Sequence, residues 1–406
     1  MDKYPSRALF VVGIAAVGLN LRSAIASLPP VFPELQDRLH LSAATVSALA
    51  ATPVLCFAVG STAAAWLSRR FGEERVIGVA LGVLAVGLAL RGAVPGALLF
   101  PGTILATCAI AVMNVLLSSL AKRRWPERAG LLIGVYLSMM AVASFIASSV
   151  AVPLYQHSGG SVRLTLGWWA LPAVAGILFW LPQVRYKTEV GGSLAKPRIT
   201  VYRQALAWQV TVFMGVQSLL YYAALSWLPE IFRARGTSAG TAGDLLALTS
   251  VGSVVASLLV PVLAQRSPGQ RWLAVPSILG LLAGLAGCLY APLSMDVFWA
   301  LVLGASQGAA FGLALYFMVA RSPDPVTAAS LSGLAQSVGY LLASAGTLTM
   351  GLLHSATGSW NVPGVLMLAL AALELGMGLL AGRPLLLSRS EVSLTRQKIP
   401  EPDAGG

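Results

Sequence analysis

Charge is scarce in this sequence. Asp, Glu, Lys and Arg make up 10% of its 406 residues, against roughly 25% in an average soluble domain. With 57% of residues hydrophobic, the chain reads as a polytopic membrane protein. Cysteine is nearly absent too. Cys56, Cys108 and Cys288 fall inside apolar stretches with no two close in sequence, which excludes a disulfide framework and a CxxC zinc site. His40, His157 and His354 are scattered and make no metal-ligand pair. There is no H-E-x-x-H or Walker A lysine motif, so nothing calls for a nucleotide-driven pump, a metal or another cofactor, and no nucleophile–base pair calls for an enzyme. A net charge of +12 would suggest nucleic acid in a soluble protein. Cationic loops that orient membrane helices explain it here, and no nucleic-acid partner is expected.

A span needs about 20 apolar residues. Twelve such stretches are legible, at 8–30, 42–68, 76–94, 97–121, 129–152, 163–183, 205–229, 239–264, 272–292, 296–320, 328–353 and 362–383. "VRYKTEVGGSLAKPRITVYRQ" is the longest polar internal stretch and divides the chain almost in half. The expected organisation is a first six-helix bundle at 1–183, a cytoplasmic linker at 184–204, a second bundle at 205–385 and a cytoplasmic tail at 386–406. Lys3 and Arg7, the apolar run from Ala8 and "AIA" before Ser27 imitate a secretory signal. The repeat described next requires that helix to stay.

With the N-terminus in the cytoplasm, cytoplasmic segments hold 21 basic residues and external ones four: Arg38, Arg163, Arg233 and Arg235. This asymmetry follows the positive-inside rule and predicts an inner-membrane protein with both termini cytoplasmic. The halves also repeat. "LPPVF" at 28–32 is echoed by "LPEIF" at 228–232, and "WLSRRFGEER" at 66–75 by "VLAQRSPGQR" at 262–271. Six spans per half make this a parallel repeat about an axis along the membrane normal. The fold class is therefore all-α, with 12 transmembrane helices in two six-helix bundles related by a pseudo-two-fold axis.

The run Ala65-Trp66-Leu67-Ser68-Arg69-Arg70-Phe71-Gly72 resembles the signature loop of the major facilitator superfamily, roughly G-x-L-A-D-R-x-G-R, with Ala65 replacing the glycine and Arg69 the aspartate. Leu263-Ala264-Gln265-Arg266 sits similarly in the second half, again without the acid. The resemblance implies that Arg69, Arg70, Gly72 and Arg266 belong to loops that rearrange between conformations. Within the superfamily, "LNLRSAIASLPPVFPEL", "TPVLCF" and "SRRFGEER" are similar to the cyanate/2-nitroimidazole transporter family, whose first span carries an Asn-Leu-Arg triplet, here Asn20, Leu21 and Arg22. This resemblance implies a carrier of small anions or small polar heterocycles. The expected partners are that substrate and the bilayer, with the chain acting as a monomer.

Arg22 stands out on physical grounds alone. A charge at a helix centre costs about 2.5–3.5 kcal/mol on insertion scales, and Arg22 lies about fifteen residues into its span. It could pair with an intramembrane acid, snorkel outward, bind backbone carbonyls, or face a water-filled cavity and attract an anion. Among the acids only Glu374 lies well inside a span, so the anion-attracting reading leads. Adding the repeat offset of 200 to Arg22 gives Tyr222 in "QSLLYYAALSW", so Tyr222, Tyr221 and Gln217 are expected to face it. Asn20, Asn114, Tyr136, Gln307 and Gln336 are further candidates for cavity contact. Each also has an ordinary alternative, because polar side chains tie membrane helices together and tyrosines populate interfacial belts. Arg91 reads as an anchor at the external end of its span, and Glu374 as a proton site or a structural carboxyl.

Rocking of the two bundles around Arg22 is the expected mechanism; the sequence leaves facilitated movement, exchange and coupling to protons open. An alternative within the fold is a multidrug efflux carrier, which predicts more cavity acids and no central arginine. A receptor or scaffold that does not transport would have no use for Arg22 in a cleft.

Overall fold

In a computed structural model the chain is described over residues 7–125, 129–185, 201–323 and 325–387, with backbone alone at 7, 61–62, 65, 69, 118–119, 121–123, 129–131, 133, 325–326 and 329. Lys3, Arg128, most of the expected linker and the tail from 388 onward lie outside the described residues, as do the side chains of Arg7, Arg69, Lys122 and Arg123.

The described chain is almost wholly helical. In the first half the helices are α1 (Arg7–Ala26), the short α2 (Phe32–Leu39), α3 (Ala43–Phe71), α4 (Glu73–Ala93), α5 (Pro95–Arg124), α6 (Ala129–His157), α7 (Val162–Gly167) and α8 (Ala170–Val184). The second half has α9 (Ala205–Ala234), α10 (Ala239–Ala264), α11 (Arg271–Tyr290), α12 (Asp296–Ala320), α13 (Pro325–Thr357) and α14 (Asn361–Ala381). Among the described residues, eleven stretches are long and apolar enough to cross a membrane. The 33-residue α13 stands beside them, which makes about twelve passes in all.

Three expectations about the spans need correction. The first is not one helix over 8–30: α1 stops at Ala26, a 3-10 turn covers Pro29–Val31, and α2 follows. Two consecutive prolines remove two N–H donors, so the α-helical ladder cannot run through them, although Leu28 itself keeps helical geometry. The corresponding "LPEIF" holds a single proline, and α9 runs through Pro229 to Ala234, so Pro229 does not mark a helix end. The sixth span is split at Trp168–Trp169 into α7 and α8. Pro172 cannot return a hydrogen bond to the Trp168 carbonyl, and it fits comfortably in the first turn of a new helix.

Contacts at the helix ends show that successive passes alternate in direction. Arg124 at the end of α5 lies over Phe10 near the start of α1, 4.4 Å from its centroid, and donates to Gln183 at the end of α8 at 3.0 Å. That side, where the described chain begins and ends, is the terminal face. The opposite side is the distal face. There α3 and α10 begin with the same cap: Ser42 accepts from the Thr45 N–H, and Ser238 from the Thr241 N–H, both at 3.1 Å. This Ser-Ala-x-Thr pair repeats the capping chemistry of an N-terminus at equivalent places in the two halves.

Small residues set the packing. Gly304, Gly308 and Gly312 lie a turn apart on α12, and a Cβ at the first two would run into the Thr249 and Ser253 backbones of α10. Backbones approach this closely in membranes because small residues leave nothing between them. The halves meet through α3 with α13 and α6 with α10. Ser344 donates to the Ala51 carbonyl (3.2 Å) and Ser250 to Ser144 (3.0 Å) across these seams.

Candidate functional site

Asn20 and Arg22 are two residues apart, so at 3.6 residues per turn they point to nearly opposite sides of α1. The structure uses the two faces differently. Asn20 is 2% exposed, and its Nδ2 donates to the Ala16 carbonyl (2.9 Å) and, across to α8, to the Pro172 carbonyl (3.0 Å). It ties two helices together and does not line a cleft, which corrects its expected role. Arg22 is half-buried and faces the second half. Its Nη1 donates to the Tyr222 hydroxyl at 3.3 Å, and its guanidinium lies 4.9 Å from the Tyr221 ring centroid and 5.4 Å from that of Tyr222. The residues brought together here are 200 apart, the offset of the repeat.

Around this pair the rings close into a cluster. Phe57 of α3 stands 6.1 Å from Tyr222 and 5.7 Å from Tyr340 of α13, while Tyr222 and Tyr340 are 6.4 Å apart. Tyr221 and Tyr222 meet edge to face at 5.2 Å. Tyr136 of α6 packs on α1 one turn before Arg22: a Cβ at Gly18 would lie 2.8 Å from the Tyr136 carbonyl oxygen. Phe57 was not among the expected site residues, because in the sequence it cannot be told from a lipid-facing phenylalanine. It does lie within "TPVLCF", which carried part of the family resemblance. Tyr340 is a rare intramembrane tyrosine whose partners only the packing reveals.

None of the ion pairs among the described residues includes Arg22. Two cation–π contacts at about 1–2 kcal/mol when desolvated and one hydrogen bond at about 1 kcal/mol roughly offset the ~3 kcal/mol insertion cost. The cation is thus held in place by neutral groups. It keeps its full charge for a further partner.

The other expected site residues are dispersed. Gln217, one turn before Tyr221 on α9, is buried and accepts from Ser218 at 3.3 Å. Gln336 donates to Ser332 on its own helix at 2.7 Å. Gln307 is buried with no partner at Nε2, and Asn114 is half-buried on α5. Glu374 is fully buried on α14, with neither oxygen hydrogen-bonded. It lies one turn before Gly378, which packs against Phe213 and Ala274. Arg70 is exposed over Trp66 and Phe71, and Gly72 joins α3 to α4 at φ 87°, a conformation glycine adopts readily. Arg266 is exposed just beyond α10.

Arg91 is not an interfacial anchor. It is 1% exposed, and its Nη1 donates to the Ala24 carbonyl at 3.0 Å. That carbonyl is available because the chain tightens beyond it, with the Leu28 N–H turning to Ile25. Arg91 thereby caps the negative end of α1.

On the distal face, one stripe of α9 meets both the first half and α13. Arg233 donates to both carboxylate oxygens of Glu34 on α2, at 3.0 and 3.3 Å. One turn back, Glu230 lies 3.8 Å from His354, whose ring stacks on Trp360 at 4.0 Å. A turn further, Trp227 donates to the Thr347 carbonyl (3.0 Å) and lies 5.9 Å from Phe32.

The Major Facilitator Superfamily profile matches residues 8–347. The chain is 37% identical to the uncharacterized transporter YycB of Bacillus subtilis over 94% of its own length and 95% of that protein. It is 35% identical to the 2-nitroimidazole transporter of Escherichia coli, covering 93% and 96%, and 29% identical to the cyanate transport protein CynX of that organism, covering 86% and 90%. In fold it matches the nucleoside transporter NupG with a TM-score of 0.73 at 10% identity, over 91% of this chain and 99% of that one. The chain belongs to the major facilitator superfamily, among relatives that include the 2-nitroimidazole and cyanate transporters.

Proposed function

We propose that this transporter moves a small, flat anion or weakly acidic heterocycle across the membrane by alternating access, with Arg22 as its anchor. The observation that carries the reading is the guanidinium itself, held half-buried against Tyr221 and Tyr222 with no carboxylate on it among the described residues. Guanidinium offers a planar fork of donors suited to carboxylate-like or linear anions. The surrounding Phe57, Tyr222 and Tyr340 rings suit a flat ligand. The names of the 2-nitroimidazole and cyanate relatives support a small substrate of this kind. Bulky apolar drugs would find the rings but no use for the charge.

In this reading residues 1–183 and 205–385 move as two bodies joined by 184–204. The excess of loop arginines and lysines supports a cytoplasmic terminal face. The Glu34–Arg233 and Ser47–Gly351 contacts then close the outer side. A thermal-shift assay tests the anchor, because a ligand bound to the folded state raises its melting temperature. Cyanate or 2-nitroimidazole should stabilise the wild type and leave Arg22→Ala unmoved, with Arg22→Lys in between. Equal shifts in all three would refute the assignment.

A further inference from the structure

The residues around α1 form a second layer that the proposed transport chemistry does not itself use. Asn20 crosslinks α1 to α8 through Pro172, and the slot it fills exists because residue 176 has no side chain. A Cβ at Gly176 would lie 2.8 Å from Asn20 Nδ2. One turn beyond Asn20, Arg91 holds the Ala24 carbonyl. Both clamps are fully inside the first half, at 2% and 1% exposure, and they grip α1 on either side of Arg22. Arg91 makes that single hydrogen bond while Nε and Nη2 find no partner. Burying a guanidinium so poorly satisfied is expensive, so the position of this one bond has a consequence elsewhere.

The second half ties the same two elements together with the arginine on the other partner. Arg235, at the end of α9, donates to the Cys288 carbonyl (2.7 Å) and to Ala291 at the end of α11, and pairs with Asp296 at 2.8 Å. Its two terminal nitrogens make three such contacts, whereas Arg91 makes one.

We infer that Asn20 and Arg91 are positioning residues: together they fix the rotation and height of α1, so that Arg22 points at Tyr221 and Tyr222. Residues in α1 are 100° apart. A slip of one position would turn the guanidinium into the bundle and bring Ser23, now buried, toward the cleft. The functional consequence rests on Arg22 being the ligand's anchor. The geometric claim does not.

The test reads rotation directly. In a full-length background carrying Cys56→Ala, Cys108→Ala and Cys288→Ala, thiols are introduced singly by Arg22→Cys and Ser23→Cys, and their rates with a water-soluble maleimide are compared. The thiol at 22 should react much faster. Asn20→Ala combined with Arg91→Met should narrow that ratio about tenfold; Gly176→Ala, which displaces Asn20, should do so in part, and Arg91→Lys should restore it. In parallel, Asn20→Ala should weaken 2-nitroimidazole binding when Arg22 is present and add nothing in Arg22→Ala. If the labelling ratio stays unchanged in folded Asn20→Ala and Gly176→Ala proteins, the positioning role is overturned. If the ratio collapses while Arg22→Ala leaves 2-nitroimidazole binding intact, the positioning stands and the substrate reading falls.

Discussion

Glu34 and Arg233 form the described ion pair that joins the first half to the second on the distal face. In the proposed cycle this face must open, so the pair must break. Its contribution follows from its surroundings. The Arg233 and Glu34 side chains are 28% and 18% exposed, respectively, and one guanidinium nitrogen reaches both carboxylate oxygens. A fully exposed pair contributes about 0–1 kcal/mol, and partial burial with charge-assisted hydrogen bonds raises this to about 1 kcal/mol. Glu34→Gln or Arg233→Gln should then raise the distally open population about fivefold. Ser47 is the reporter, being 1% exposed beneath Gly351 in the closed face. A thiol introduced by Ser47→Cys, with the native cysteines removed, should label about fivefold faster in either neutral variant. The charge-swapped pair Glu34→Arg with Arg233→Glu should return the rate toward that of the parent, and high salt should shrink the difference. Equal labelling in parent and neutral variants would show that the pair does not hold the face shut.

Other changes follow from the same geometry. Gly351→Ala places a methyl against Ser47 and Trp227, so distal closure should fail and labelling at position 47 should become fast even with Glu34 and Arg233 both present. Phe57→Ala removes a ring that packs on Tyr222 and Tyr340; at about 0.5–1.5 kcal/mol per aromatic contact, 2-nitroimidazole binding should weaken about twofold to tenfold while cyanate binding barely changes. Gly304→Leu drives a side chain into the Thr249 backbone, which cannot give way, so the protein should lose at least about 1–3 kcal/mol and melt markedly earlier in detergent. Glu374→Gln is isosteric at a site on α14 packed against α9 and α11, and uptake and its pH profile should stay unchanged. A flattened profile would instead assign proton coupling to Glu374.

Much of this architecture is legible without coordinates. Apolar length, loop charge and the echo of "LPPVF" in "LPEIF" are one-dimensional properties, and they suffice for about twelve passes in two related halves. The repeat offset even singles out Tyr222 as the residue opposite Arg22, because equivalent helices in the two halves face each other. Facing, by contrast, is decided by rotation about a helix axis. Asn20 and Arg22 are near neighbours in the sequence, and only the packing of α6 and α8 on α1 turns one inward and the other toward the second half. Arg91 illustrates the same limit. Its place near the end of a span suggests an interface, but the Ala24 carbonyl freed by the break at Pro29 lies within its reach.

What the sequence by itself determined was the solvent, the approximate number of passes and the presence of a charge within the first span, since hydropathy and charge are properties of each residue alone. The tertiary structure decided which aromatic rings surround that charge, which polar residues serve packing, and which pair spans the distal seam. Those depend on helix rotation and on the close approach of backbones at glycines such as Gly18, Gly304 and Gly308, where residues far apart in the chain settle the outcome together.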